Sequence, residues 1–177
     1  MNENDTTGEV LDWADAKRAA IVATARGELG DQAKGSRRVY EYAREVLPQT
    51  WTDAQVKQFA GEREWCGVFA LWCYRQNGIG LGVNWISGSG FAQSAWIITP
   101  GDGLPKPGDL CIRPKNGAGK FVWHHAIVAS YATGGELVTV DGNQPGVLVR
   151  RRPVPRDNMI YYSIDSLLTR ALGPGVT

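Results

Sequence analysis

Cys66 opens an apolar run, Trp65-Cys66-Gly67-Val68-Phe69, and the chain's two histidines stand together far downstream in Trp123-His124-His125-Ala126-Ile127-Val128. A thiol becomes a strong nucleophile when it ionises. The partial positive charge of a helix N-terminus favours the thiolate, and so does a histidine acting as base or imidazolium. Asp141-Gly142-Asn143 ends the next apolar segment. Either Asp141 or Asn143 can accept an imidazole N–H there and fix the ring's tautomer. The backbone N–H of Cys66 is a candidate oxyanion donor. Nucleophile, base and orienting group in this order fit amide hydrolysis through a covalent cysteine intermediate.

The same residues admit plainer readings. The chain has 3 cysteines, an odd number, so no closed disulfide framework is available. Cys66 and Cys73 on one helix are separated by roughly 10 Å of rise, too far for a disulfide. Cys73, after Leu71 and Trp72, and Cys111, between Leu110 and Ile112, read as small core residues. A zinc site drawn from Cys66, Cys73, His124 and His125 lacks the close cysteine and histidine pairs such sites use. Adjacent strand residues also point to opposite faces, so only one of His124 and His125 is expected to reach Cys66. No metal or cofactor is expected. Trp65, Trp85, Trp96 and Trp123 lie beside these residues or in a glycine-rich stretch. They either line a substrate cleft or simply pack.

Elements that position these residues follow from periodicity and punctuation. Residues 1–10 read as a flexible tail and 11–177 as one domain. Asp12 to Leu29 carries a helical spacing closed by Gly30, and Ser36 to Leu47 a second, stopped by Pro48. Thr52-Asp53-Ala54-Gln55 is a capping box for a short helix to about Ala60. The cysteine helix runs from about Cys66 to Gln76 and ends at Asn77-Gly78. Ile79 to Gly108 keeps no regular period apart from a short helical turn around Phe91 to Trp96, and reads as a long loop wrapping a cleft. Strand patterns follow at Asp109 to Arg113, Trp123 to Tyr131, Glu136 to Asp141, Val147 to Arg152 and Met159 to Ile164. Helices followed by an antiparallel meander give an α+β fold.

A chain of 177 residues, 43% hydrophobic and 21% charged, suits one globular domain with its own core. A net charge of +1 gives no case for a nucleic-acid binder. The one dense basic run, Arg150-Arg151-Arg152, reads as a solvated strand end. No apolar stretch is long enough to span a bilayer, and the polar start lacks a secretory signal pattern. The chain is therefore expected to be made as a soluble cytoplasmic protein, exported by something else if it acts outside, and a monomer is expected.

Four segments, in order, resemble the cysteine- and histidine-dependent amidohydrolase/peptidase (CHAP) family, related to the NlpC/P60 peptidases. Its members often read Trp-Cys-Ala-x-Phe, Pro-x-Pro-Gly-Asp, His-Val-x-Ile-Val, and Glu-x-Asn or Gly-Gly-Asn-Gln. Here the segments are Trp65-Cys66-Gly67-Val68-Phe69, Pro105-Lys106-Pro107-Gly108-Asp109, His124-His125-Ala126-Ile127-Val128 and Asp141-Gly142-Asn143-Gln144. The last of these, with Ala92-Gln93-Ser94-Ala95-Trp96, is similar to a phage-associated branch. Glu64 replaces a common proline, Gly67 a common alanine, and Asp141 a common glutamate one methylene longer.

The resemblance covers roughly residues 16–165. It implies a papain-like fold, with N-terminal helices packed on an antiparallel sheet of about five strands. It implies Cys66 as nucleophile, His124 as base with His125 in an apolar position, and Asp141 with Asn143 as the orienting group. The implied substrate is bacterial peptidoglycan, cut at the amide joining lactyl group and L-alanine or within the stem peptide. A phage or prophage lysin, or a toxin injected into rival bacteria and matched by an immunity protein, are the implied contexts. In both, the enzyme acts in the periplasm or wall. A different class of reading is a degenerate papain-like domain that binds wall fragments or a protein partner. The intact Cys66, His124 and Asp141 favour the enzyme.

Overall fold

A computed structural model of the chain describes residues 4–80, 98, 103–117, 120–152, 160–165 and 168. The described elements are α1 (Asn4–Gly27), α2 (Arg37–Val46), α3 (Asp53–Glu62), α4 (Cys66–Gln76), β1 (Leu110–Gly117), β2 (Lys120–Tyr131), β3 (Leu137–Asp141), β4 (Leu148–Arg152) and β5 (Ile160–Tyr162). The architecture is α+β, with the helices first and one antiparallel sheet second. Most of the expected long loop, including Trp85, Trp96 and the turn around Phe91, lies outside the described residues.

Local chemistry sets the helix ends. Ser36 caps α2 by accepting the Val39 N–H, and Val39, Tyr42, Ala43 and Val46 form its buried stripe. Thr52 and Gln55 close a reciprocal capping box on α3, which runs on through Gly61 to Glu62. The expected flexible tail is helical from Asn4 onward.

α4 is buried from Cys66 through Tyr74 and packs against α1, α2 and β2. A helix apolar on every side can only sit inside. Its aromatic residues mesh with α2: Tyr42 lies 4.9 Å from Trp72 and 5.6 Å from Phe69 between ring centroids. That packing fixes the axial position of α4, and hence of Cys66 at its first turn.

The sheet order is β4-β3-β2-β1-β5, so β1 to β4 form a meander and β5 returns to the free side of β1. Period-two alternation separates two faces. Ile112, Ile127, Ala129, Val140 and Tyr162 join the helices in the main core, whereas Cys111, Ala126, Val128, Leu137 and Tyr161 form a second cluster on the opposite face. The Pro105-to-Asp109 segment anchors the start of β1. Buried Asp109 accepts from Arg18 Nη1 at 2.8 Å, the Lys106 N–H at 2.6 Å and the Ile164 N–H at 3.0 Å. One carboxylate thereby ties α1, the entry to β1 and the chain after β5 together. Among the described residues, no helix is long and apolar enough to cross a membrane.

Candidate active site

Cys66 is the first residue of α4, where backbone N–H groups have no intrahelical acceptor and the helix dipole is positive. The residue is buried, 3% exposed. Just past the end of β3, Gly142 lies against Phe69 of α4. A Cβ at that position would fall 2.9 Å from Phe69 Cβ, so only glycine lets the Asp141-Gly142-Asn143 turn cross α4 one turn beyond the cysteine. A second close passage holds the far side of the turn. Gly146 lies against the Gly30 carbonyl, and Gly30 and Val147 exchange backbone hydrogen bonds of 3.1 and 2.9 Å.

Strand register decides what the two histidines face. His124 shares a sheet face with Ala126 and Val128, and Asp141 stands opposite Ala126 on β3. His124 Nε2 accordingly meets Asp141 Oδ2 at 2.8 Å. An ionised carboxylate only accepts, so Nε2 carries the hydrogen and Nδ1 is the basic nitrogen of the neutral ring. His125 shares the helix-facing side with Ile127, and its Nδ1 lies 3.7 Å from Cys66 Sγ.

Both rings therefore act on the thiol, which corrects the expectation that only one reaches it. β3 pairs with β2 no further than Asp141 opposite Ala126, so both histidines sit on a stretch of β2 beyond the last β3 pair. Burial pushes the Cys66 thiol up, but hydrogen bonds and charge from His124 and His125 outweigh it and bring the pKa down to about 5. Burial lowers His124, and its bonds to Asp141 and Cys66 overcome this and raise it above the ordinary value. For Asp141, fully buried, the His124 bond and the Arg152 charge overcome burial and hold the carboxyl below its usual range.

Asp141 has further partners that sequence reading passed over. Thr139 Oγ1 donates to Asp141 Oδ1 at 2.5 Å, and Arg152 Nη2 donates to Asp141 Oδ2. Arg152 also reaches Thr139 Oγ1 at 3.1 Å through Nε. The third arginine of the basic run is thus buried beneath the site, while Arg150 and Arg151 are solvated as expected. Gln144 is the other addition. Its Nε2 lies 3.3 Å from His124 Nδ1, and its Oε1 accepts from Arg150 Nη2 at 3.1 Å, which sets the amide with nitrogen toward the ring. The Gly-Asn-Gln sequence was the one available signal for it.

Asn143 is tied to Glu64, while Asp141 is the group on His124 Nε2. The Asn143 backbone is left-handed at φ +63°, and its Nδ2 donates to Glu64 Oε2, tying the turn to the segment before Cys66. Trp65 packs in the core. It is fully buried, with its ring 6.0 Å from Tyr42 and 6.3 Å from Phe69, because the N-cap of a buried helix points its side chain into the core. Trp123 lies in β2 opposite Pro114. Cys73 is buried in the core with its thiol pushed well up by burial, and Cys111 is buried in the second cluster. Among the described residues, no group of three or more His, Cys, Asp and Glu is arranged to hold a metal ion.

No family model matches the chain, and no curated protein or solved structure is similar to it at a significant level.

Proposed function

We propose that this chain is a papain-like cysteine hydrolase of the CHAP type that cuts an amide bond of bacterial peptidoglycan. The observation that carries the reading is the line Cys66, His124, Asp141: a thiol at a helix N-terminus, its pKa pulled down by the histidines beside it, and a histidine whose far nitrogen is bound by a buried carboxylate. Cys73 and Cys111 have no such setting.

The reaction proceeds in two halves. The Cys66 thiolate attacks the amide carbonyl carbon, and the oxyanion gathers at the N–H groups of the first turn of α4. His124, as imidazolium, gives its Nδ1 proton to the departing amine as the carbon–nitrogen bond breaks, leaving a thioester. Neutral His124 then takes a proton from water, whose oxygen attacks the thioester carbon. The thiolate departs with His124 again protonated, and the product leaves as a carboxylic acid that loses its proton to solvent. Asp141 holds the ring in the required tautomer and stabilises its charged form without giving up its own place.

The chemical resemblance of the four segments directs the substrate reading to the lactyl–L-alanine amide or an amide of the stem peptide. A lysin or an injected toxin acting in the wall or periplasm is the corresponding role, with an immunity protein as partner for the toxin. Digesting purified peptidoglycan and identifying the new ends by mass spectrometry tests this. A new amine paired with a new carboxylate at one of those bonds is expected. Intact wall after prolonged digestion with thiol-active, folded protein overturns it.

A further inference from the structure

We propose that His125 is a second catalytic residue of this site, donating its Nδ1–H to the Cys66 thiolate from the helix-facing side of β2. The proposal rests on Cys66 as nucleophile and adds a division of labour between two adjacent rings. The position is otherwise apolar: His125 is 2% exposed, its cross-strand neighbour is Ile112, and Ile127 follows on the same face. An imidazole buried there costs free energy unless its polar atoms are engaged. Nδ1 is directed at Cys66 Sγ, 3.7 Å away, a length that fits a hydrogen bond to sulfur.

The two histidines then differ in what they exchange. His124 is bound through Nε2 to Asp141 and moves a proton at Nδ1. His125 keeps its Nδ1 hydrogen throughout. It holds the thiolate before attack, releases it when sulfur becomes a weakly accepting thioester, and receives it again as the carbon–sulfur bond breaks. No proton is transferred by His125, so the balance of the reaction is unchanged. The interaction strengthens with charge on sulfur, which favours expulsion of the thiolate in the second half.

Other groups around the thiol are accounted for. His124 faces it from the same strand, with Asp141 of β3 and Arg152 of β4 behind that ring, and α4 contributes the positive end of its dipole. Burial raises the thiol, and the two histidines are what lower it.

The test is the pH dependence of Cys66 alkylation by iodoacetamide, read by peptide mass mapping on folded wild type, His125→Val and His125→Gln. Valine suits the apolar strand position and removes the donor, whereas the glutamine amide can still donate. His125→Val is expected to move the alkylation midpoint up by about one pH unit. His125→Gln should stay close to wild type. On peptidoglycan, the acid limb of His125→Val should shift upward while the alkaline limb set by His124 stays. An unchanged midpoint in folded His125→Val overturns the proposal, as does an equal shift in both variants. Nitrogen NMR of the wild-type ring supplies a reading that needs no variant: a protonated Nδ1 at neutral pH is expected, and a bare Nδ1 overturns the assignment. Alkylation is scored whether or not wall is cleaved. A low wild-type midpoint without hydrolysis would therefore sink the proposed function while leaving His125 in its role.

Discussion

His124 Nε2 and Asp141 Oδ2 are 2.8 Å apart across β2 and β3, and this contact decides which nitrogen of His124 is available to Cys66. Because Asp141 also receives Thr139 and Arg152, it cannot swing away to release the ring. His124 is thereby held by a strand-borne group, Asp141 of β3.

Asp141→Asn should lower kcat on the order of 10²-fold or more with a small change in KM, since the lost interaction is strongest as His124 becomes charged. The amide can offer Nε2 a hydrogen and so favour the wrong tautomer. Asp141→Ala should in addition cost about 3 kcal/mol in urea unfolding, because Arg152 is left buried without its partner. Retained turnover in folded Asp141→Asn would remove the orienting role.

Asn143→Gly should keep turnover within a few-fold of wild type. Glycine accepts the left-handed backbone, and the lost Asn143-to-Glu64 bond ties a loop rather than the base. Kinetics on a defined muropeptide check this. A folded but inactive Asn143→Gly would return the orienting role to Asn143.

Turnover should follow a bell against pH. It rises as the Cys66 thiol ionises around pH 5 and falls as His124 loses its proton above its ordinary range. Alkylation of Cys66 should share the acid limb. A thiol that alkylates only above about pH 8 would contradict the ion pair.

Gly142→Ala should destabilise the protein by about 1–3 kcal/mol, because the new methyl group meets Phe69 of α4. Phe69→Ala has its own cost, but the two should be less than additive in a double-mutant cycle. Strict additivity would mean that the turn does not press on α4.

The periodic and capped parts of the fold were legible from sequence. α4 has the bounds its apolar run predicts, Ser36 and Thr52 cap the helices they precede, and the β2 and β3 patterns end where Tyr131 and Asp141 stand. Cys66 and Asp141 stand where the sequence pattern puts them, at the start of α4 and the end of β3, whereas His124 lies within β2, which begins earlier than its pattern. What escaped depends on register between strands. Arg152 reaches Asp141 only because β4 pairs with β3 so that Leu137 opposes Arg152, and no local pattern encodes that pairing. His125 meets Cys66 from the helix-facing side of β2, although the resemblance puts it in an apolar position. Trp65 looked like a cleft residue by adjacency, but the N-cap of a buried helix turns it inward.

The central claim is that Cys66 attacks a wall amide, and the most direct measurement is release of new amine ends from purified peptidoglycan by wild type and Cys66→Ala under identical conditions. Both proteins should be folded, judged by unfolding midpoints within a few degrees. Wild type is predicted to release amines in step with new carboxylates, and Cys66→Ala to release none above the enzyme-free control. Equal release by the two proteins would contradict the account.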